Sequence, residues 1–88
     1  MRLIYSSQFK KDYKKIKRQN KDISQLEIVV TTLLKKEQLP SKYKDHKLSG
    51  RWKSFRDCHI EPDWVLIYQI TSDALILERT GSHSELFK

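Results

Sequence analysis

The sequence Trp64-Val65-Leu66-Ile67-Tyr68-Gln69-Ile70 is the most strand-like segment of this 88-residue chain. It is rich in β-branched and aromatic residues and is apolar on both faces, as expected of a strand in the middle of a sheet. Turn-forming sequences flank it, Glu61-Pro62-Asp63 before and Thr71-Ser72-Asp73 after. Because short turns join antiparallel strands, residues 52–59 and 74–79 are predicted to pair with it on either side.

The first half of the chain is predicted to be a helical hairpin that follows a short strand over residues 2–5. Apolar side chains at helical spacing predict a first helix over residues 8–19; they are Phe9, Tyr13 and Ile16. The sequence Asp22-Ile23-Ser24-Gln25 has the form of a capping box and predicts a second helix over residues 23–36.

The predicted element order is therefore β-α-α-β-β-β. Helices segregated to one side of a mostly antiparallel sheet give an α+β fold, here with the hairpin packed on a small sheet. Residues 37–50 are predicted to form a polar loop, and Ser82 and Glu85 can cap a last helical turn. The length supports one domain, residues 1–88.

The composition favours a soluble protein of the cytoplasm. Cys58 is the only cysteine, so an intramolecular disulfide cannot form. The sequence shows neither a signal-peptide core nor an apolar stretch long enough to span a membrane. We therefore expect no membrane association.

The net charge of +7 is carried by the first 36 residues. That part has ten Lys and Arg residues against three acidic residues, whereas residues 37–88 have eight of each sign. A basic segment beside a neutral one favours a polyanion or an acidic protein as partner. The alternative is a solvated helix face that only keeps the chain soluble.

Most of the residues that could carry chemistry lie in the second half: His46, His59, Asp63, Arg79, His83 and Phe87. The histidine spacings match no compact metal motif, so neither a metal site nor a cofactor is predicted. Cys58 and His59 are neighbours in a predicted strand and point to opposite faces, which argues against a thiolate–imidazole pair. No nucleophile or phosphate-loop motif is present in the sequence.

After metal sites and nucleophile motifs, the remaining candidate chemistry is general acid–base cleavage of an RNA phosphodiester. One imidazole can take the proton of a 2′-hydroxyl and another can protonate the leaving 5′-oxygen, because this group titrates near neutral pH. An arginine fork suits the charge that develops on the phosphate, and an aromatic ring can stack on a base. The residues named above supply every group that this reaction needs. The alternative is that the three histidines lie on the surface and have no role in catalysis.

Four segments of the second half closely resemble the YafQ branch of the RelE toxin family. They are residues 43–48 (YKDHKL), 52–59 (WKSFRDCH), 61–68 (EPDWVLIY) and 78–83 (ERTGSH). The likeness is dense from residue 43 to Phe87, and the basic hairpin before it fits in pattern and length.

This resemblance implies a microbial RNase-type fold and an endoribonuclease that cuts mRNA in the ribosomal A site to inhibit translation. It implies that His83 is the chief proton-transfer residue, as general acid, with His46, His59 and Asp63 in base and orientation roles. How the proton roles divide among the three histidines stays open.

The resemblance also implies that Arg79 neutralises phosphate charge, while Trp64 and Phe87 shape the site or stack on RNA. Members of the RelE branch proper use lysines and a tyrosine in place of histidines. Here Arg51 and Lys53 are present as RNA-binding candidates, but the tail carries His83 and no tyrosine. The sequence therefore favours the YafQ branch.

Several of these residues have a structural alternative. Trp64 opens an apolar strand and is a candidate for the core, and Phe87 could close the core. Asp63 could serve only as a turn residue after Pro62. Arg79 could pair with Glu78 or Glu85.

A toxin of this type implies a cognate acidic antitoxin, for example in a heterotetramer, besides the ribosome with its rRNA and mRNA as target. Two rival functions are kept open. A ParE-like toxin would share the fold but bind gyrase, and it would have no use for the clustered histidines. A non-catalytic nucleic-acid-binding module would need only the basic helices.

Overall fold

One mixed sheet of five strands forms the centre of the computed structural model, which describes residues 1–87. The strands are β1 (Arg2–Tyr5), β2 (His46–Lys47), β3 (Arg56–Glu61), β4 (Trp64–Ile70) and β5 (Ala74–Gly81). Their order in the sheet is β1-β5-β4-β3-β2, with β1 parallel to β5 and the other pairs antiparallel. The predicted α+β fold is confirmed, with β4 at the centre of the sheet.

The helices are α1 (Ser7–Arg18), α2 (Ile23–Leu34) and α3 (His83–Leu86). The Ser6 side chain accepts the Phe9 N–H at the start of α1, and the Asp22 side chain accepts the Ser24 N–H at the start of α2. α2 ends two residues before its predicted end because Lys36 adopts a left-handed conformation, with φ 60°. None of the helices within residues 1–87 has the length and apolar character needed to cross a membrane.

Strand β4 separates two apolar clusters because its side chains alternate between the two faces of the sheet. Trp64, Leu66 and Tyr68 are buried beneath the helical hairpin, against α1 and α2. We call this side of the sheet the helix face. Val65 and Ile67 point to the opposite side, which we call the site face, and there they pack against Leu86 of α3.

The segment before β3 differs from the sequence prediction. Residues 50–52 form a 3-10 turn and the predicted strand starts only at Arg56, while residues 46–47 of the predicted loop form β2. Trp52 and Phe55 meet edge to face, with 5.4 Å between ring centroids, and pack at the border of the site face. β2 was missed because a two-residue strand has no periodicity of its own and depends on its pairing with β3.

Candidate active site

The register of the sheet brings three predicted site residues to the site face. One row across the strands consists of His46, Asp57, Ile67 and Arg79, which are successive partners on β2, β3, β4 and β5. The next row places His59 opposite Val65, with Gly81 beyond it on β5. Because paired residues lie on the same face of a sheet, His46, His59 and Arg79 start from one surface.

His83 reaches this surface from α3, which starts two residues after β5 ends. A capping box between Ser82 and Glu85 forms the start of this helix, and Leu86 anchors it on Val65 and Ile67. His83 itself is exposed, and its ring centroid lies 4.8 Å from that of Phe87. The last helical turn was predicted, and its capping box is confirmed.

Asp63 contributes to the position of His83 through the backbone. Its carboxylate accepts the His83 N–H at 3.2 Å, so the β3–β4 turn is tied to the start of α3. A carboxylate at the first turn of a helix also interacts favourably with the helix dipole. The observed contact is with the His83 backbone, and the orientation role expected for Asp63 stays a prediction.

The hydrogen bonds of His46 define its tautomer. Nδ1 lies 2.8 Å from the carbonyl oxygen of Lys44. A carbonyl can only accept, so Nδ1 carries the proton and Nε2 of the neutral ring is free to take one. The side chain is 54% exposed, which leaves Nε2 accessible to a substrate.

His59 has the same arrangement in a weaker form. Its Nδ1 lies 3.3 Å from the carbonyl oxygen of Pro62, so Nδ1 is again the donor and Nε2 the acceptor. In the neutral form of either ring, Nε2 is therefore the nitrogen without a proton, as a general base requires.

Asp57 is the site residue that the sequence reasoning missed. It is 2% exposed, and its Oδ1 lies 3.1 Å from Nδ1 of His46. The imidazole N–H is directed at the Lys44 carbonyl and not at this oxygen, so Oδ1 has no hydrogen-bond partner within residues 1–87. A buried acid inside a predicted strand, two residues before His59, was the available signal.

The electrostatics of the site face depend on Asp57. Burial raises the pKa of its carboxyl above the ordinary value, while the charges of His46, His59 and His83 act in the opposite direction. All three histidines are therefore close enough to interact with one buried carboxylate. A carboxylate in this position stabilises an imidazolium that forms when a histidine takes a proton.

Arg79 is held by a carboxylate on α1. Its Nε and Nη2 donate to Asp12 at 2.9 and 3.2 Å, and Asp12 also accepts the Thr80 N–H. Pairing with Glu78 or Glu85 was the structural alternative for Arg79, but the salt bridge that forms is with Asp12. Hydrogen bonding to this carboxylate is the main reason that the pKa of Arg79 is raised.

Two aromatic candidates differ in exposure. Trp64 is fully buried on the helix face, where its Nε1 donates to Thr80 at 2.9 Å, so it has no surface on which a base could stack. It therefore takes the core position that was its structural alternative. Phe87 is half-buried beside His83 and keeps part of its ring open.

The two basic candidates lie at the border of the site face. Arg51 and Lys53 are exposed in and after the 3-10 turn, and the Arg51 guanidinium lies 5.8 Å from the centroid of the Trp52 ring. Within residues 1–87 neither residue makes a salt bridge.

The remaining candidate groups do not assemble into other kinds of site. Cys58 is fully buried on the helix face, and burial raises the pKa of its thiol, which opposes thiolate formation. In the part of the chain that the structure describes, residues 1–87, no three His, Cys, Asp or Glu side chains are arranged to hold a metal ion. What the site face does combine is three imidazole groups, a buried carboxylate and a half-buried aromatic ring, while the Arg79 guanidinium is held against α1 by Asp12.

Comparison with known proteins gives consistent results. The whole chain, residues 1–88, matches the family described as "Bacterial toxin of type II toxin-antitoxin system, YafQ". It is 48% identical over 84 residues to the mRNA interferase toxin YafQ of Escherichia coli K12, covering 94% of this chain and 91% of that protein.

Solved structures agree over almost the whole length. The toxin in the E. coli DinJ-YafQ complex superposes with a TM-score of 0.92 at 46% identity and covers 100% of both chains. A metal-bound toxin from Helicobacter pylori has a TM-score of 0.92 at 44% identity and covers 99% of both chains. The sequence resemblance and the fold therefore lead to the same group of proteins.

Proposed function

The chain belongs to the YafQ family of toxins of bacterial type II toxin–antitoxin systems, and from this premise we propose that it cleaves mRNA in the ribosomal A site. Its relative in E. coli is named an mRNA interferase, and this name supports endoribonuclease activity. The proposal extends that activity to a general acid–base mechanism and to dependence on the ribosome.

The observation that carries the proposal is the gathering of three histidines around Asp57 on one face of the sheet. His46 and His59 come from β2 and β3, whereas His83 comes from α3, yet all three interact electrostatically with this carboxylate. Residues that are distant in sequence and convergent in space indicate a site more strongly than composition does.

The reaction needs one group to take a proton and another to give one. Nε2 of His46 or His59 takes the proton of the 2′-hydroxyl, whose oxygen attacks the adjacent phosphorus. His83 gives its proton to the departing 5′-oxygen as the P–O bond breaks. The products are a 2′,3′-cyclic phosphate and a free 5′-hydroxyl, and no metal takes part in these steps.

Charge and stacking groups complete the proposed site. Arg79, Arg51 and Lys53 neutralise the charge that develops on the phosphate oxygens. Arg79 does so while it is held by Asp12, which fixes the orientation of its guanidinium. Phe87 stacks on a base next to the cleaved bond, and contact with His83 places that base near the proton donor.

Helix α1 supplies the surface for ribosomal RNA. Its exposed side chains include five basic residues: Lys10, Lys11, Lys14, Lys17 and Arg18. Such a cluster binds the phosphate backbone without regard to sequence and releases counterions when it does so. Because ribosomal RNA and translated mRNA meet on cytoplasmic ribosomes, we expect the proposed activity in the cytoplasm.

The proposed inhibitor is an acidic antitoxin. A related toxin forms a complex with DinJ, and the charge of +7 on this chain favours an acidic partner. A groove of about 740 Å³ between β1, α1 and α2 is lined by apolar side chains, with Lys10 and Lys14 among its lining residues. It suits an amphipathic acidic segment that folds on binding, in an assembly such as a heterotetramer.

Reconstituted cleavage tests the proposal. Purified toxin is incubated with a short mRNA, alone and on programmed ribosomes, and His83→Ala is compared with the neighbouring exposed control Ser84→Ala. We expect cuts only on ribosomes, a loss of roughly 100-fold or more in His83→Ala, and no loss in Ser84→Ala. A chelator of transition metals should leave the cleavage rate unchanged.

Three outcomes would overturn parts of the proposal. Equal cleavage of free mRNA would exclude ribosome dependence, and inhibition by the chelator would exclude the metal-free mechanism. Intact mRNA with wild-type toxin, combined with inhibition of gyrase supercoiling, would favour the ParE-like alternative.

A further inference from the structure

We propose that Asp45, clamped by Arg56 and Tyr68 on the helix face, is a positioning residue that sets the orientation and tautomer of His46 on the site face. The cleavage consequence of this inference depends on the proposed function. Its structural consequence does not, because the tautomer of a histidine can be observed in the free protein.

Asp45 is bound from two sides. The Arg56 guanidinium donates to both carboxylate oxygens, Nε to Oδ1 and Nη2 to Oδ2, each at 3.2 Å. The Tyr68 hydroxyl donates to Oδ1 as well. Tyr68 is 1% exposed in the core, so this hydroxyl is a fixed reference point. Two planar, charge-assisted contacts and one phenolic donor leave the carboxylate little freedom.

The clamp and His46 lie on opposite faces of the sheet. Arg56 pairs with Tyr68 across β3 and β4, whereas His46 pairs with Asp57. Asp45 directly precedes His46, and neighbouring residues in extended chain point to opposite sides. Fixing the Asp45 side chain on the helix face therefore directs His46 to the site face.

The backbone before His46 needs such support. Lys44 has φ 51°, a left-handed conformation that is unfavourable for a residue with a β-carbon. β2 has only two residues, and the His46 side chain is half exposed, so packing contributes little to its position. Asp45 is the residue between them, and its three hydrogen bonds hold this segment in place.

The Lys44 carbonyl is the link between the clamp and the ring. It accepts the Nδ1–H of His46 and thereby leaves Nε2 as proton acceptor. If the clamp is removed, the carbonyl is no longer held in line with the ring. We then expect the Nε2–H tautomer to gain population although Asp57 Oδ1 lies 3.1 Å from the same nitrogen, because that oxygen makes no hydrogen bond to the ring when the clamp is intact. That tautomer cannot act as a base through Nε2.

Nitrogen chemical shifts of the histidine rings test the structural part. In protein labelled with ¹⁵N-histidine, we expect Asp45→Asn and Tyr68→Phe to shift His46 towards the Nε2–H tautomer and to leave His59 and His83 unchanged. Tyr13→Phe, which removes a tyrosine hydroxyl from α1, is the matched control. Wild-type tautomers in both folded variants would overturn the proposal. Tyr68→Phe serves alone if Asp45→Asn does not fold.

A double-mutant cycle tests the functional part on programmed ribosomes. We expect Tyr68→Phe to lower kcat roughly 10-fold with little change in KM, and to have no further effect in a His46→Ala background. Additive losses would show that the clamp acts on something other than His46. If wild-type toxin does not cleave at all, the proposed function is wrong. The tautomer measurement still tests the structural part, because it does not depend on cleavage.

Discussion

At the scale of single residues, two buried carboxylates contact side chains of the candidate site. Asp57 lies buried beneath the histidines, and Asp12 binds Arg79 from α1. Sequence reasoning missed Asp12 because its partner Arg79 is 67 positions away. It missed Asp57 because the burial of this carboxylate depends on the packing of the sheet. His46, His59, Arg79 and His83 could be proposed as site residues from the sequence because their residue types suit the chemistry and they lie in the segments that resemble the family.

Replacing Asp57 should increase stability and decrease activity. Its pKa is raised on folding, so the folded state holds this proton more tightly, and its contribution to stability is lost as the pH rises through the folded-state pKa. We expect Asp57→Asn to raise the free energy of unfolding by about 1 kcal/mol at pH 7.5 and to reduce cleavage at least ~10-fold.

Urea denaturation between pH 4 and pH 8, combined with the cleavage assay, measures both effects. Asp73→Asn, in the exposed β4–β5 turn, is the control. Loss of stability in Asp57→Asn at pH 7.5 together with full activity would contradict this role.

Arg79 has a structural and a proposed catalytic role that one double variant can separate. Arg79→Ala leaves Asp12, which is buried, without its counter-ion and should destabilise the fold on the order of 3 kcal/mol. Adding Asp12→Asn removes the unpaired charge, so most of the stability should return while cleavage stays low. Thermal denaturation and ribosomal cleavage are measured for each variant, and recovery of both in the double variant would leave Arg79 a structural residue only.

At the scale of elements, α3 is a four-residue helix that holds its place through contacts with three other elements. Glu85 binds Lys15 of α1 and accepts the Ser82 N–H. Leu86 packs on β4, and Asp63 of the β3–β4 turn accepts the His83 backbone N–H.

The two long helices and β4 could be predicted because their signals are local. β2 and the late start of β3 could not, because cross-strand pairing and the packing of Trp52 and Phe55 define them.

The anchoring of α3 should depend on acid pH. The ion pair with Lys15 is the main cause that lowers the pKa of Glu85 from 4.5 to about 2. Its contribution to stability is therefore complete above pH 4.5 and is lost as the pH falls towards 2.

We expect Glu85→Gln to lower the free energy of unfolding by about 1 kcal/mol at pH 6 and to match wild type near pH 2. Denaturation series of both proteins over this range, with the exposed Glu27→Gln as control, give the comparison. A difference that does not change with pH would show that the ion pair is not its origin.

At the scale of the whole molecule, charge and chemistry are divided between the two halves of the chain. The excess positive charge belongs to residues 1–36, whereas the histidines, Asp57 and Arg79 belong to the neutral remainder. The sheet joins them, since β1 pairs with β5 and α1 contacts both Arg79 and Glu85. We therefore expect that the proposed binding to ribosomal RNA and the proposed catalysis can be altered separately.

Neutralising α1 should weaken ribosome binding without abolishing catalysis. We expect the triple Gln variant of Lys10, Lys11 and Lys14 to lower the slope of log affinity against log salt by about 2, because each lost phosphate contact removes roughly 0.7–0.9. The matched control carries Gln at three exposed lysines outside α1: Lys35, Lys36 and Lys42. Equal slopes for the two variants would mean that α1 is not the RNA-binding surface.

Induction of the toxin in growing bacteria, followed by primer extension on a reporter mRNA, tests the central claim most directly. We predict growth arrest and cuts in phase with the reading frame for wild type, and neither for His83→Ala produced at the same level. Growth arrest by both proteins with intact mRNA would contradict cleavage as the basis of toxicity and would make binding, to gyrase or to the ribosome, the function of this fold.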